Sequence, residues 1–361
     1  MSEFKRSRLW ELDMGESDIG SPGTDYQLTP EFQELKLRAE AAESKLRRIY
    51  NSPFWRISKP ARRIYSRLNQ VLAVKTTKPF EYKSDPKDGL PVRQLVNNQI
   101  QIEINNADFT KNSFAVVAHW SESEKLSDSL VFYLTELSRQ GFEVILVSSS
   151  TSTLPLTVSE KLKSKLTIIR KPNLGYDFGS WSIAVEAFPV LTAKNEIILT
   201  NDSLIGPLAP LDQIVEKLRA SKFDITSVTD NLQLQYHLQS YLLHFKSGNF
   251  ANSNIQNFLA NVSHHSTKNE VILKYELGLT RVAQLSGLYV GSIFPWNLVV
   301  TPGKNPSMHG WERLLELGFP FIKKESLRRL GSLENSKIKS VLKAEYPAAI
   351  FALDEANNIK P

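Results

Sequence analysis

Unbroken apolar runs alternate with leucines spaced three and four apart through the middle of the chain. Ser113–His119 (Ser-Phe-Ala-Val-Val-Ala-His) has the length and character of a buried strand, as do Phe142–Val147, Leu166–Ile169 and Glu196–Thr200. Between the first two, Leu130, Leu134 and Leu137 lie on one helical face within Leu126–Gln140, and Gly141 closes that helix. After the third run, a glycine-containing loop leads to a helix expected to start near Ser180. Residues 224–245 read as two strands around a polar turn, Glu270–Leu285 as a helix, Tyr289–Phe294 as a strand and Gly310–Leu317 as a further helix. Strands alternating with helices predict an α/β fold of right-handed βαβ units around a mainly parallel central sheet. In such sheets ligands bind beyond the carboxyl ends of the strands.

The amino-terminal third has a different pattern. Residues 1–28 mix Gly, Ser, Pro and charge without periodicity and read as a disordered tail. Thr29-Pro30 is a capping pair, after which Phe32, Leu35, Ala39, Ala42, Leu46 and Ile49 form one apolar stripe. The stripe spans under three heptads, so a single amphipathic helix over 29–50 and a dimerising, coiled-coil-like one both stand. The organisation expected is thus a tail (1–28), this helix (29–50), a basic linker (51–110), an α/β domain (111–331) and a helical carboxyl-terminal tail (332–361).

Charge sharpens this division. The net charge is +6, yet Ser44–Phe80 alone holds ten lysines and arginines and no acid, so the rest of the chain sums to −4. Phe54, Trp55, Ile57, Ile64, Tyr65 and Leu68 are interleaved with those cations. Aromatics within a basic run suit an anionic membrane surface, where each nearby basic residue contributes about 1 kcal/mol. A solvated linker is the plainer alternative. No nucleic-acid-binding motif accompanies the charge, so nucleic acid is not expected as a partner. With 41% hydrophobic residues the chain can bury a core, and with no cysteine it has neither disulfide nor thiolate chemistry. The first twenty residues lack the apolar stretch of a secretory signal, and no run reaches the roughly 18 apolar residues of a spanning helix. The location expected is cytoplasmic, peripheral at the inner face of the plasma membrane.

Four polar clusters carry candidate chemistry. Pro172-Asn-Leu-Gly-Tyr-Asp-Phe-Gly-Ser-Trp181 joins a strand to a helix: Gly175 and Gly179 permit close backbone approach, the helix start at Ser180 offers amides to an anion, and Asn173 and Asp177 suit sugar or ribose hydroxyls. An ordinary capped βα turn explains the same residues equally well. Asn201-Asp202-Ser203 ends an apolar strand, where Asp202 can hold a divalent cation or merely form an Asx-turn. Glu276 lies early in its helix and is either dipole compensation or, facing the cleft, a base. His309 precedes a helix, and His119 ends the first strand, where a base or ribose contact is expected. His237 and His244 read as structural, and His264-His265 as residues of a polar loop.

Taken in order, NLGYDFGSW (173–181), LTNDSLIGPL (199–208), YHLQSYLLHF (236–245), YELGLTR (275–281) and NPSMHGWERLLELGFPFIKKE (305–325) resemble the rhamnan synthesis protein F family of bacterial polysaccharide glycosyltransferases, from Ser113 to Arg329. NSPFWRISKPAR (51–62) is similar to a segment found beside such transferase domains. The resemblance implies a GT-A-like nucleotide-binding sandwich, a nucleotide-sugar donor, and a glycan or lipid-linked glycan acceptor of the cell surface. Rhamnose is the sugar of the family's name. By similarity, Asn173, Gly175, Asp177 and Gly179 line the donor site, and the helix start at Ser180 and the strand-end residues His119 and Asn201 are expected to join them. Asn201-Asp202-Ser203 takes the place of the Asp-any-Asp motif that holds Mg²⁺ or Mn²⁺. Because one carboxylate is an amide here, His309 is the candidate second metal ligand beside Asp202. Glu276 is the expected catalytic base of an inverting transfer, with Asp177 in reserve. The competing expectation is a non-catalytic glycan-assembly or glycan-binding protein on a degenerate transferase fold.

Overall fold

The computed structural model of the chain describes residues 85–359. The tail at 1–28, the helix at 29–50 with its dimer, and the basic run at 44–80 lie outside the described residues.

The described chain is a mixed α/β structure around a nine-stranded sheet in the order β1-β4-β3-β2-β5-β9-β7-β10, with β8 paired to β7. The strands are β1 (Gln101–Asn105), β2 (Ser113–His119), β3 (Glu143–Ser148), β4 (Leu166–Arg170), β5 (Glu196–Asn201), β7 (Ile225–Asn231), β8 (His237–Leu238), β9 (Leu242–Phe245) and β10 (Val290–Phe294). Pairings β4/β3, β3/β2, β2/β5 and β7/β10 are parallel, whereas β9 runs antiparallel between β5 and β7. Most strands therefore end at one edge of the sheet, and β9 begins there. A separate two-stranded ribbon pairs β6 (Leu204–Ile205) with β11 (Ile322–Lys323), antiparallel.

The central strands are buried on both faces, which is why they read as continuous apolar runs rather than alternating ones. Along β2, Phe114, Val116 and Ala118 enter one core, and Ala115 and Val117 the other. The first core is covered by α1 (Val92–Val96), α3 (Tyr176–Ala187), α5 (Ser253–Ala260) and α7 (Leu277–Leu285). The second is covered by α2 (Asp128–Arg139) and α4 (Asp212–Ala220). A third cluster joins Ile205 and Ile322 of the ribbon to α8 (Trp311–Glu316), α9 (Ser332–Glu345) and α10 (Ile350–Asn358). The carboxyl-terminal helices are thereby docked through Ile338, Leu342, Ala352 and Ala356.

Three expectations change. The described part of the expected 51–110 linker is folded: Val92 and Val96 are fully buried against α3, and β1 pairs antiparallel with β4. Its apolar residues are too sparse to announce a helix of five residues or an edge strand. The helix expected near Ser180 begins at Tyr176, because Gly175 in the left-handed conformation (φ +80°) turns the chain into it. Finally, Glu270–Leu285 is not one uniform helix. It runs as α6 (Lys268–Val271), a π-helical turn (Ile272–Glu276) and α7. Among the described residues, no helix is long and apolar enough to cross a membrane.

Candidate active site at the carboxyl edge of the sheet

A cavity of about 280 Å³ opens where β2, β3 and β4 end, lined by His119, Trp120, Ser149, Asn173, Tyr176, Asp177 and Ser180. Four of the residues singled out in the sequence (His119, Asn173, Asp177 and Ser180) thus share one wall, drawn together from two strand ends and one helix start. Lys171 shapes this wall from beneath. Its buried ammonium donates to the carbonyls of Pro172 (3.0 Å) and Leu174 (2.8 Å), bracketing Asn173, and burial pulls its pKa down to about 7.

The glycines act differently from expectation. A Cβ on Gly175 would stand 2.4 Å from Val92 Cγ2, and one on Gly179 would stand 2.8 Å from the Leu174 oxygen. Their close approach is to α1 and to the preceding loop, and neither lines the cavity. The Gly175 amide donates to His264 Nδ1 (3.2 Å), whose Nε2 faces Asp85 (3.4 Å). His264 and His265 lie in the loop between α5 and α6, as read, and both are buried there. Ser180 lies one turn inside α3 with its hydroxyl donated to the Tyr176 carbonyl (3.3 Å), so the free first-turn amides belong to the residues just after Gly175.

Asp202 stands at the end of β5, accepting from the Trp120 amide (3.1 Å) and lying 4.0 Å from His119 Nε2. His119 bonds Ser148 through Nδ1 (3.0 Å), and burial lowers its proton affinity against the opposing pull of Asp202. The amide at Asn201 has a definite task. Its Nδ2 donates to Asp177 (2.7 Å), and its Oδ1 accepts from the Ser203 amide and hydroxyl (3.1 and 2.6 Å). Asp177 is pushed up to about 7, first by burial and then by the negative charge of Asp202, with Asn201 opposing. Asp177, in the first turn of α3, thus sets a carboxylate against the amide at position 201.

Glu276 acts on Asp177 from a third element. The π turn presents it toward the amino end of β9, where Ser240 donates to Oε1 (2.6 Å) and buried His237 lies 3.9 Å from Oε2. It is not in a first helical turn, so dipole compensation does not account for it. Glu276 and Asp177 are near enough to interact, since each raises the proton affinity of Lys323 and Glu276 raises that of Asp177. His309 turns its Nδ1 back on the Asn305 carbonyl (3.2 Å). Among the described residues, no group of three or more His, Asp or Glu is arranged to hold a metal ion.

Sequence reasoning missed Trp120, Tyr176, Lys171 and Lys323. Trp120 and Tyr176 remain 47% and 41% exposed at the cavity, and Tyr176 holds a left-handed φ of +52°, unusual for an aromatic residue. An aromatic beside each polar motif was a visible signal for the first two. Nothing in the spacing pointed to the lysines.

Residues 144–354 match the rhamnan synthesis protein F family, a span that takes in Asp177, Asp202, Glu276 and Lys323. The chain is similar to virulence protein VirA of Vibrio anguillarum, with 30% identity over 224 residues covering 53% of this chain and 71% of that protein. It is also similar to the uncharacterized protein y4gN of Sinorhizobium fredii, with 26% identity over 190 residues covering 50% and 48% of the two chains.

Proposed function

From its membership of the rhamnan synthesis protein F family, which ties the chain to polysaccharide synthesis, we propose that it is a glycosyltransferase of GT-A-like architecture, moving a sugar from a nucleotide-sugar donor to a glycan or lipid-linked glycan acceptor. The observation that carries this reading is the convergence of Asp202 and Glu276 on Asp177, which lines a cavity at the carboxyl edge of a mostly parallel sheet. Sheets of this kind place their ligands at that edge. In this reading the donor lies in the cavity, its base or sugar against Trp120 and Tyr176 and its hydroxyls on Asn173 and Asp177. The sugar is rhamnose in the family's name.

The acceptor hydroxyl gives its proton to Glu276 as its oxygen attacks the anomeric carbon. The bond from that carbon to the diphosphate breaks, its electron pair leaves with the nucleoside diphosphate, and the configuration inverts. Ser240 and His237 orient the Glu276 carboxylate for this step. Proton removal of this kind contributes typically 10²–10⁴-fold. Asp202 fits a divalent ion of the Mg²⁺ or Mn²⁺ type, which binds through one or two carboxylates plus substrate phosphates and does not need a three-residue cage. When bound, it would offset the charge of the diphosphate. His309, engaged with its own turn, is proposed only as a ligand that would have to swing out.

The basic run at 44–80, with its interleaved aromatics, supports the reading that this chemistry takes place at the inner face of an anionic membrane. The test is hydrolysis or transfer by the purified protein across a panel of nucleotide sugars, with Asp202→Ala beside the wild type. Turnover that vanishes in the variant while thermal unfolding is unchanged supports the reading. No turnover of any nucleotide sugar by the wild type would leave a non-catalytic assembly protein.

A further inference from the structure

Among the described residues, Lys323 has no carboxylate within ion-pair distance. The β6/β11 ribbon sets Lys323 opposite Leu204, and the Lys324 amide donates to the Ser203 carbonyl (2.9 Å), so both lysines flank the residues that follow Asp202. Lys323 ends β11 and Lys324 opens the helix that follows, and their side chains take different partners. Lys324 pairs with Glu355 of α10 (2.9 Å). Lys323 instead crosses the ring of Tyr241, with Nζ 5.4 Å from its centroid, and donates to Ser307 Oγ at 3.3 Å. That hydroxyl already accepts from Gln239 (3.1 Å) and donates to Asn305 (2.9 Å). Among the described residues, one long hydrogen bond therefore serves an ammonium with three donors.

A half-buried lysine kept only to balance acids would be expected to pair directly with one of them, since an unpaired charge in a desolvated setting is costly. Burial lowers the proton affinity of Lys323, and Glu276, Glu325 and Asp177 offset only part of that loss, yet no carboxylate stands within ion-pair reach among the described residues. The free donors are left to a group that is absent from the protein itself. In the reaction proposed above, the group with negative charge to share beside the Asp202 strand end is the donor's diphosphate.

We infer that Lys323 is a protein-borne cation that binds the terminal phosphate of a nucleoside diphosphate, so that donor binding persists without a divalent ion. The inference rests on the glycosyltransferase reading and adds a residue to it. The ammonium would hold the leaving group's charge where Asn201, in place of a second carboxylate, weakens the metal site.

Titration calorimetry of the full chain with UDP, dTDP and GDP, in excess EDTA and again in Mg²⁺, tests it. The wild type is expected to bind at least one of them in EDTA, and Lys323→Met to weaken that binding by roughly tenfold or more, the loss of one charge-assisted contact. Lys323→Arg, which keeps the charge, should retain most of the affinity. If Lys323→Met does not fold, Lys323→Gln removes the charge while keeping a donor for Ser307, and the same criterion applies. Wild-type affinity in the uncharged variant, or binding by the wild type that EDTA abolishes, overturns the inference alone. Failure of the wild type to bind any of the three, even with Mg²⁺, removes the glycosyltransferase reading itself.

Discussion

Asn201 accepts from Ser203 with its oxygen and donates to Asp177 with its nitrogen, so an amide separates two acids that a third carboxylate would crowd. Burial and the negative charge of Asp202, working against that donation, push Asp177 up to about 7 from an ordinary value of 3.8. The folded state then binds that proton more tightly than the unfolded chain, so stability from this group is present below pH 4 and is lost as pH rises to about 7. Asp177→Asn removes the dependence. The melting temperature of the variant should gain on the wild type between pH 4 and 7 and hold that gain above, and a difference independent of pH would contradict the assignment. Glu276→Gln tests the base. It keeps the shape, so donor affinity should stay within about twofold while turnover falls by roughly 10² or more. Unchanged turnover would move the search to Asp177.

The entry to α3 concentrates the constraints of a whole element. Two successive residues, Gly175 and Tyr176, take positive φ, and α1 packs Val92 into the space left by the missing Cβ. Arg93 of α1 clasps α3 from the side, donating to the Ser182 hydroxyl (3.0 Å) and carbonyl (3.2 Å). Gly175→Ala therefore meets both an unfavourable φ and the Val92 methyl. It is expected to destabilise by about 1–3 kcal/mol. In a Val92→Ala background the glycine substitution should cost less, because the clash is gone and only the backbone strain remains. Urea unfolding of the two single variants and the double variant gives the coupling, and strict additivity would show that the contact is unimportant.

At the scale of the molecule, two short elements that precede β2 belong to the body of the fold. A chain trimmed to 84–361 should melt close to the full chain. One trimmed to 111–361 uncovers α3 by removing Val92 and Val96, each fully buried, and burial of a valine is worth about 1.5–3 kcal/mol. It should melt several degrees lower or aggregate. The same series separates stability from location. Loss of 44–80 removes ten positive charges, so vesicles containing phosphatidylserine should retain the full chain and release both trimmed ones. Retention should also fade with salt, since screening acts over about 8 Å at physiological ionic strength. Vesicle binding by 84–361 equal to that of the full chain would place the membrane contact elsewhere.

The mostly parallel sheet was legible because strands such as β2, β3 and β5 are buried on both faces and must be written as continuous apolar runs. His119, Asn173, Asp177 and Asp202 were legible because strand ends and the turns after them are where such sheets expose polar residues. Periodicity could not show the π turn, which leaves the hydrophobic spacing of Glu270–Leu285 nearly intact while re-aiming Glu276. It could not separate glycines that admit a ligand from glycines that admit Val92, since both look alike in a chain. The lysines at 171 and 323 were beyond it altogether. Their significance lies in which carbonyls and carboxylates surround an ammonium, and those neighbours come from sequence positions such as 177, 276 and 307. Local patterns record which face of an element is buried. Only the tertiary structure brings distant charges close enough to act on one another.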